Sequence, residues 1–580
     1  MAPSLVEGLP VKSIVSLSSP LLLAFVAAPC VAQARFERVS VSTAGAEANG
    51  SVGSTVKMSA DGRHVAFDSY ASNLAPYDIN NTSDVFVRDR LLGTTTLVSV
   101  AVTGLSGNNL SAVNAISADG RFIVFWSIAY DLVKFDANAQ GDIFVHDRDP
   151  DGNGVFDEGN ATIVRVSVDS AGVEGNGFSS GAGVSADGSK VVFRSDATNL
   201  VANDTNAASD IFVRDLVAGT TTRVSVSTAG AQGNGRSIEP ALSDDGTIVM
   251  FASSASNLIP SDTNSRQDIF VRDLVAGTTG RVSNGEGGVE GNSDALNCTM
   301  SGDAQRVVYW SSATNLVSGD TNNFSDVFLR DRTAGTTTRL SVSEAGAQGN
   351  SSSRLGCISA NGDFVVFSSN ASNLAGVETN ANNQDVFVRD LVAGTLRKVS
   401  VHPSGQEGSA GSTGYAISDD GSFTAMFESA SDLIGGDANG IYDLLIRDRT
   451  VPDPQASWQN YGAGWPGTLG VPSFTALANP VLGTTVEAFV GNSVGFYTVG
   501  FLYLGLQQIS VPTRLAGTLL VDPLATIVFL LEPLGTTLDG DLPLDDALVG
   551  TSFFAQVLQL DNGASKGASF TAGLELLLGQ

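Results

Sequence analysis

Histidine is scarce in this chain: only three of its 580 residues are histidines, His64, His146 and His402, and they lie far apart. None of them has the histidine and carboxylate spacing of a metal-binding motif. Gly491 to Gly495 matches the pattern of a nucleophile elbow, but no histidine follows it in the chain, as the order of that triad requires. The sequence therefore offers no histidine-supported nucleophile.

Cysteine is equally scarce, with three residues in all. Cys30 lies near the N-terminus. Cys298 lies three residues before Ser301, and Cys357 lies two residues before Ser359, the equivalent serine of the next sequence repeat. Since side chains alternate between the faces of a strand, we expect these two to point to opposite faces. A disulfide needs Cβ atoms about 4 Å apart, so we predict two free, buried thiols.

Basic residues are outnumbered, with 31 Lys and Arg against 60 Asp and Glu and a net charge of −29. This balance argues against nucleic acid and anionic membranes as partners. It favours divalent cations and basic or neutral partners, although an acidic surface that keeps a protein soluble has the same composition.

Long apolar runs are absent after the first 34 residues, so no membrane span is predicted. Residues 1–34 contain Lys12, an apolar stretch from Ile14 to Ala28 and Ala32-Gln33-Ala34. These features are typical of a secretory signal peptide cleaved after Ala34. We therefore expect an extracellular or periplasmic protein, and we expect it to be monomeric.

The dominant feature of the chain is a sevenfold repeat between residues 35 and 450. Six of the seven repeats have a Ser-x-(Asp/Asn)-Gly turn, most often Ser-Ala-Asp-Gly, and the fifth has Ser301-Gly-Asp-Ala; in each repeat an apolar run and then Asp-(Val/Ile)-Phe-Val-Arg-Asp or a close variant follow. The turn serines are Ser59, Ser117, Ser185, Ser243, Ser301, Ser359 and Ser418, at steps of 58, 68, 58, 58, 58 and 59 residues. Self-similarity at a fixed period indicates a repeat architecture.

Each repeat reads as four short strands separated by Gly and Asp turns, which predicts a β-propeller or a β-solenoid. The seventh repeat lacks a fourth strand, and Arg38 to Ser42 matches the fourth strand Arg223 to Ser227 residue for residue. Insertion of this N-terminal strand into the seventh repeat would leave no open edge. We therefore predict an all-β fold, a seven-bladed β-propeller closed by an N-terminal strand.

The motifs Ser-x-Asp-Gly and Asp-Ile-Phe-Val-Arg-Asp resemble the repeat of TolB-like and WD-repeat-like propellers, over about residues 35–450. The resemblance implies the fold. It does not imply one function, because such propellers serve as binding platforms, structural modules and enzyme scaffolds.

The chain after the repeats has a different character. Residues 451–457 include Val451-Pro452-Asp453-Pro454 and are predicted to form a linker. Residues 458–580 alternate strand-like segments with Gly, Pro and Asp turns, which predicts a small β-sandwich. It loosely resembles all-β modules at the C-terminus of secreted bacterial proteins.

Six of the seven repeats contain Asp-x-Asn-x-x-x-Asp between the second and third strands. These sets are Asp78/Asn80/Asp84, Asp136/Asn138/Asp142, Asp204/Asn206/Asp210, Asp262/Asn264/Asp268, Asp320/Asn322/Asp326 and Asp437/Asn439/Asp443, and the sixth repeat has Glu378/Asn380/Asp385. Oxygen ligands at this spacing could bind calcium. Alternatively, Asp and Asn could cap the loop by hydrogen bonds to the backbone.

A second candidate metal site lies in the ten-residue insertion of the second repeat. Asp149, Asp151, Asn153 and Asp157, with Gly154 between them, match the start of a calcium-binding loop. Position twelve is Asn160 instead of glutamate, so a weak extracellular site is expected. A polar hairpin loop is the alternative.

Two functions remain open at this point. The first is a secreted, non-catalytic binding or interaction module, stabilised by calcium, that recognises a protein or glycan through its long loops. The second is an extracellular hydrolase or lyase acting on polysaccharide, with carboxylates at the mouth of the propeller channel. Because no unique catalytic set stands out in the sequence, we expect the binding module and no enzymatic activity.

Overall fold

The structure is a computed structural model, and it describes two compact units of the chain. The described residues are 36–577 without 376–382, 402–407, 409, 429–432, 435–436, 438, 451–456, 467, 478, 480–484, 514–517, 522, 524, 542–551 and 567. The N-terminal unit comprises the described residues up to 450, and the C-terminal unit those from 457 onward. The predicted signal peptide 1–34 lies outside the described residues, as does the predicted linker except for Ser457.

The N-terminal unit consists of short strands, beginning with β1 (Phe36–Arg38). Repeat 1 contains β2 (Val52–Met58), β3 (His64–Ser69), β4 (Asp84–Asp89) and β5 (Thr94–Leu97). Repeat 2 contains β6 (Ser111–Ile116), β7 (Phe122–Ser127), β8 (Asp142–Asp147) and β9 (Thr162–Arg165). Repeat 3 contains β10 (Ser179–Val184), β11 (Lys190–Ser195), β12 (Asp210–Asp215) and β13 (Thr220–Arg223).

The later repeats have the same strand order. Repeat 4 contains β14 (Ser237–Leu242), β15 (Ile248–Ser253), β16 (Asp268–Asp273) and β17 (Thr278–Arg281). Repeat 5 contains β18 (Ala295–Met300), β19 (Arg306–Ser311), β20 (Asp326–Asp331) and β21 (Thr336–Arg339). Repeat 6 contains β22 (Ser353–Ile358), β23 (Phe364–Ser369), β24 (Asp385–Asp390) and β25 (Leu396–Lys398). Repeat 7 contains β26 (Ser412–Ile417), β27 (Phe423–Glu428) and β28 (Asp443–Asp448).

Each repeat folds into one four-stranded antiparallel sheet, and in the seventh the fourth strand is β1. Phe36 pairs with Arg447 and Arg38 with Leu445. The first strands of successive sheets contact one another, and β26 of the seventh sheet contacts β2 of the first. The first and last repeats therefore meet in space.

The fourth strand lies earlier in the chain than the sequence predicted. We expected Arg223 to Ser227 and Arg38 to Ser42, but the strands are Thr220–Arg223 and Phe36–Arg38. The following serine hydroxyls bind the buried aspartates of the third strands instead, as Ser40 Oγ does at 2.8 Å from Asp443 Oδ1. The chain then turns away, with Val41 forming a bridge to Glu47.

The Ser-x-(Asp/Asn)-Gly motif forms the turn between the first and second strands. In repeat 1, Ser59 Oγ donates to Asp61 Oδ1 at 2.7 Å and accepts from His64 N at 2.9 Å. Asp61 Oδ1 also accepts from Arg63 N at 3.0 Å. Gly62 has a φ of 71°, which a residue with a Cβ rarely adopts. The motif therefore encodes a locally satisfied turn.

The core of each repeat contains residues of the second and third strands. An aromatic pair joins these strands in six repeats, with ring centroids 5.6–6.0 Å apart: Phe67–Phe86, Phe125–Phe144, Phe193–Phe212, Phe251–Phe270, Tyr309–Phe328 and Phe367–Phe387. Met426 and Leu445 are paired in the seventh. Each of these side chains is fully buried, and burial of an aromatic ring is a large stabilising contribution.

The C-terminal unit is also built of antiparallel strands. Its strands are β29 (Ser457–Tyr461), β30 (Phe474–Ala476), β31 (Thr485–Val490), β32 (Thr498–Gly505), β33 (Gln508–Pro512), β34 (Thr518–Val521), β35 (Ala525–Leu531), β36 (Thr536–Asp541), β37 (Ser552–Leu560), β38 (Ala568–Phe570) and β39 (Gly573–Leu577). One sheet has the order β29-β39-β37-β32-β35, with β38 beside β37, another the order β30-β31-β36, and β33 pairs with β34. One apolar core contains residues of the first two sheets, including Val490 and Val557.

Helix is nearly absent from the described residues, where one short 3-10 turn, Glu286–Gly288, is present. None of these residues forms a helix with the length and apolar character needed to cross a bilayer.

Removal of β1 should destabilise the N-terminal unit more than the short length of this strand suggests. Without β1, one edge of β28 has no hydrogen-bonded partner strand. A chain that begins at Thr43 is expected to melt several degrees below one that begins at Arg35. Thermal unfolding followed by circular dichroism measures the difference. Melting temperatures within about 2 °C of each other would contradict a stabilising role for this strand.

Candidate functional site

A buried aspartate begins the third strand of every repeat. In repeat 3 this residue is Asp210, which is fully buried. Its Oδ1 accepts from Ser225 Oγ at 2.5 Å, and Ser225 Oγ in turn accepts from Ile211 N at 3.1 Å. Burial raises the pKa of Asp210, and the bond from Ser225 opposes that shift. The carboxylate thus fastens the start of the third strand to the residues that follow the fourth.

A basic side chain lies beside this aspartate in six of the repeats. Arg223 Nη1 is 3.5 Å from both Asp204 and Asp210, the first and last carboxylates of the Asp-x-Asn motif. The corresponding residues are Arg38 at Asp443, Arg165 at Asp136 and Asp142, Arg281 at Asp262 and Asp268, Arg339 at Asp320 and Asp326, and Lys398 at Asp385. In these repeats a cation of the protein itself thus lies beside the carboxylates of the motif.

The asparagine of each motif bonds to its own loop. Asn206 Nδ2 donates to Asp210 Oδ2 at 3.2 Å and to Gly233 O at 2.9 Å, while its Oδ1 accepts from Ala208 N at 3.0 Å. The same pattern occurs at Asn80, Asn138, Asn264 and Asn322, and Asn439 bonds to Ala48 O and Ile441 N. These are capping contacts. Glu378 and Asn380 lie outside the described residues.

Asp136, Asp142 and Glu174 are the one set of three His, Cys, Asp or Glu side chains, within the described part of the chain, whose ligand atoms converge within 4.8 Å. Arg165 already lies among them, 3.1 Å from Asp136 and 3.5 Å from Asp142, and it pairs with Glu174. The guanidinium offsets part of the negative charge of the three carboxylates.

Repeat 1 departs from this pattern because Leu97 stands where other repeats have the basic residue. Asp84 is fully buried and bonds to Ser99 Oγ at 2.6 Å and Asn80 Nδ2 at 2.7 Å. Burial is the main cause that raises its pKa to about 7; the charges of Asp78 and Asp131 act in the same direction, and the bonds from Ser99 and Asn80 oppose the shift. Burial also raises the pKa of Asp78, one oxygen of which is buried without a hydrogen bond.

The insertion of repeat 2 forms a loop organised by Asp149. Its two carboxylate oxygens accept from Asn153 N at 3.0 Å and Gly154 N at 2.9 Å. Asp151 accepts from Asn153 Nδ2 at 3.2 Å. Asp157, the fourth predicted ligand, instead pairs with the buried Arg148 through both oxygens, at 2.5 and 3.0 Å. The loop therefore brings Asp149, Asp151 and Asn153 together and directs Asp157 elsewhere.

A series of backbone hydrogen bonds links the turns of neighbouring repeats. Ala60 N donates to Ala118 O, Ala118 N to Ala186 O, Ala186 N to Asp244 O, Asp244 N to Gly302 O, Gly302 N to Ala360 O, and Asp419 N to Ala60 O, at 2.8–3.2 Å. Backbone hydrogen bonds thus hold the residue after each turn serine close to a neighbouring repeat. Small side chains suit this close approach, which accounts for the alanine of the motif.

Asp244 and Asp419 are acidic residues at these alanine positions. Burial raises the pKa of Asp419 to about 6, and the charge of Asp244 contributes. Burial also raises the pKa of Asp244. Neither residue was singled out from the sequence, although two of the seven turns read Ser-Asp-Asp-Gly. Acidic residues that depart from the repeat consensus are the kind of feature that would favour an enzyme.

A cavity of about 230 Å³ is lined by first strands of repeats 1, 4, 5, 6 and 7. Lys57, Glu239 and Tyr415 contribute polar groups. Glu239 and Asn297 have φ angles of 53° and 47°, and Glu239 accepts from Asn297 N at 2.7 Å. Burial raises the pKa of Glu239. Strained polar residues of this kind are concentrated at functional sites.

Cys298 and Cys357 are both free, as predicted. Cys298 packs against residues of repeat 4 and Cys357 against residues of repeat 7. The two side chains therefore point to opposite faces of their sheets, as expected. Burial raises the pKa of both thiols, which makes them poor nucleophiles.

His64, His146 and the serine of the elbow-like motif, Ser493, are buried in the fold. Burial lowers the pKa of His64, and it lowers that of His146 to about 4. His146 Nδ1 bonds to Val98 O at 2.9 Å, and His402 lies outside the described residues. Ser493 is buried and bonds to Gln559 and Ser569.

The loops between second and third strands, and between each repeat and the next, emerge at the same end of the strands; we call this the loop face. Neighbouring loops are joined by reciprocal bonds. Asn234 N donates to Asn257 Oδ1 at 2.9 Å, and Ser256 N donates to Asn234 Oδ1 at 2.9 Å. Corresponding bonds occur at Asn49, Asn176, Asn292 and Asn350. The loop face is therefore held by hydrogen bonds between asparagine side chains and backbone amides.

Solved structures with related folds are β-propellers. The chain is similar to a protein described as TolB from Agrobacterium tumefaciens, with 16% identity, 49% of this chain and 79% of that chain covered, and a TM-score of 0.30. It is similar to the WD40 repeats of RRP9, with 8% identity, coverage of 71% and 97%, and a TM-score of 0.36. It is also similar to the periplasmic gluconolactonase of Pseudomonas aeruginosa, with 15% identity, coverage of 63% and 92%, and a TM-score of 0.31.

No family model matches the sequence. No curated protein matches it either. The repeated four-stranded antiparallel sheets are consistent with a propeller fold. Identities this low concern the fold alone.

Replacement of Leu97 by arginine tests the role of the missing cation in repeat 1. An unfolded aspartate titrates near pH 4, whereas Asp84 in the fold titrates at about 7. As pH rises through this interval, the unfolded chain releases its proton first, so stability falls. Leu97→Arg should favour the ionised carboxylate, so its gain in unfolding free energy should be about 1 kcal/mol larger at pH 8 than at pH 5.

Arg223→Leu in repeat 3 is the matched control, since it creates the arrangement of repeat 1 in another sheet. Its loss of stability should be greater at pH 8 than at pH 5. Thermal and urea unfolding at both pH values provide the comparison. Equal effects at the two pH values, in either variant, would contradict the electrostatic role of this position.

Proposed function

We propose that residues 35–450 form a closed seven-bladed β-propeller that serves as a secreted, non-catalytic binding module through its loop face. The pairing of β1 with β28 and the contact between β26 and β2 support closure. The apolar N-terminal segment and its Ala-x-Ala ending support export. The C-terminal unit, with two sheets around one core, is interpreted as a β-sandwich.

The observation that carries this proposal is the internal pairing of the repeated carboxylates. In six repeats the buried aspartate is paired with a basic side chain, and in all seven a serine hydroxyl bonds to it. These carboxylates support the loops and are not presented to a substrate. A rigid scaffold that displays loops is the usual arrangement of a recognition surface.

A polysaccharide hydrolase or lyase is the second candidate, and Asp244 with Asp419 favours it. These two carboxylates differ from the repeat consensus and both have a raised pKa, as an acid catalyst requires. We rank this candidate below the binding module, because two such carboxylates alone do not define a catalytic pair and the repeated carboxylates are paired within the fold.

The purified protein should show no turnover on esters, peptides or polysaccharides, with or without calcium. The assay should include an Asp244→Asn/Asp419→Asn variant, which keeps the shape of both side chains. Saturable turnover by the parent protein that is lost in this variant would overturn the binding-module proposal. Turnover retained in the variant would indicate a contaminating enzyme.

Calcium is proposed as a stabilising ligand of the repeat 2 insertion. The convergence of Asp149, Asp151 and Asn153 supports this, although Asp157 is engaged by Arg148. Calcium bound only to the folded state should raise the melting temperature, and a chelator should lower it again. Asp149→Ala/Asp151→Ala should abolish the response, whereas Asp78→Ala, in a repeated loop, should not.

A calcium response that survives in the double variant would contradict this assignment and indicate the repeated Asp-x-Asn loops. The absence of any response in the parent protein would contradict calcium binding altogether. Differential scanning fluorimetry at several calcium concentrations is sufficient for these comparisons.

A further inference from the structure

Two aromatic residues occupy a loop position that is unfavourable for them. Tyr77 in repeat 1 and Phe135 in repeat 2 lie seven residues before the buried aspartate, at φ angles of 70° and 64°. Repeats 3 and 5 have Asn203 and Gly319 at the same place, with φ angles of 60° and 75°. Asparagine and glycine tolerate this left-handed conformation, whereas a bulky side chain there is an outlier. The loop geometry itself therefore does not select an aromatic residue.

Burial does not explain these residues either. The exposed fraction is 65% for Tyr77 and 93% for Phe135. Each aromatic side chain thus combines backbone strain with contact to water, and neither brings a packing benefit to the fold. Residues that are unfavourable for the fold in two respects point to a role outside it.

Further exposed apolar residues surround them on the same loop face. Tyr130 and Ile79 are 64% and 63% exposed, and Val102 is 58% exposed. We call these five residues, Tyr77, Ile79, Val102, Tyr130 and Phe135, the aromatic patch.

Hydrogen bonds tie three of the loops that carry the patch. Tyr77 O accepts from Ser106 N at 2.9 Å, and Ile79 N donates to Ser106 Oγ at 3.0 Å. Val102 N, in the same loop as Ser106, donates to Asp131 O at 3.0 Å. Tyr130 N donates to Asn108 Oδ1 at 3.2 Å, so the loops of repeats 1 and 2 form one connected surface.

Two acids beside the rings are accessible to a partner. Asp78 follows Tyr77 and Asp131 follows Tyr130, and both are half-buried. Asp136, which follows Phe135, is paired with Arg165, and Asp84 and Asp142 are fully buried. Lys134 is the one basic residue of the loops at 70–84, 98–110 and 128–142. In repeat 1, Asp78 and Asp84 also lack the internal basic residue that other repeats have. Negative charge beside exposed rings is complementary to a cation, which can contact both.

We propose that the aromatic patch is the docking surface for a basic segment of a protein partner, whose arginine or lysine side chains stack on the rings and pair with the flanking aspartates. This inference rests on the proposed binding function and specifies its location and partner class. A neutral glycan would use the rings but would not need the surrounding charge. The net charge of −29 also steers a basic partner toward the protein.

The test measures binding of a fluorescein-labelled decapeptide of alternating arginine and glycine, by fluorescence anisotropy at about 0.1 M salt. Tyr77→Asn/Phe135→Asn removes both rings without changing the charge and introduces the residue already present at Asn203. Val217→Asn/Val275→Asn is the matched control, since these side chains are 85% and 82% exposed in the turns between third and fourth strands.

The ring variant should bind the peptide about tenfold more weakly, and the control should differ from the parent by less than about twofold. The melting temperature of the ring variant should equal or exceed that of the parent, because strain is relieved. Such a result separates a recognition role from a structural one.

Unchanged peptide affinity in the ring variant, an equal loss in the control, or no peptide binding by the parent would overturn the inference. So would a loss confined to neutral oligosaccharides, assayed with the same variants, because it would identify a glycan surface. None of these outcomes bears on catalysis, which is decided by the turnover assay with Asp244→Asn/Asp419→Asn.

Discussion

The buried aspartate at the start of each third strand is the constraint on which the repeat unit depends. A carboxylate in the interior is unfavourable unless it is hydrogen-bonded and paired. Ser225, Asn206 and Arg223 supply those partners for Asp210, and they come from the chain after the fourth strand, from the loop and from the fourth strand itself. One charge therefore fixes the relative positions of three segments, and its repetition gives seven sheets of the same form.

Two ends of the sheets have different constraints. The turn end is closed by local bonds within the Ser-x-(Asp/Asn)-Gly motif and by backbone bonds between neighbouring repeats. The loop end is held by side-chain caps, which tolerate changes at exposed positions. Tyr77 and Phe135 lie at that end, and Asp244 and Asp419 lie at the other. The two departures from the repeat consensus are thus found on separate parts of the unit.

Much of the N-terminal unit could be predicted, because each repeat supplied the same turn and strand signals. The fourth strand was predicted too late in the chain, because Arg-Val-Ser-Val-Ser has an ideal alternating pattern. That pattern alone does not reveal that a serine within it binds an aspartate. Arg223 bears on the choice between metal binding and capping, because it lies beside the carboxylates. A basic residue recurs at this place in several repeats, so its role could have been recognised in the sequence. The backbone strain at Tyr77 could not have been predicted from the sequence, since φ is set by the whole loop.

Repeats in one chain also act as controls for one another. Six repeats show that a basic side chain fits beside the buried aspartate, so its replacement by Leu97 is a change of chemistry within an unchanged frame. Asn203 and Gly319 show likewise that the loop of repeat 3 or 5 forms without an aromatic ring. A residue that differs from its equivalents, and that is less favourable for the fold than they are, has to be explained by something other than the fold. In repeats 1 and 2 the carboxylates beside exposed rings supply such an explanation, because together they form a surface suited to a cation.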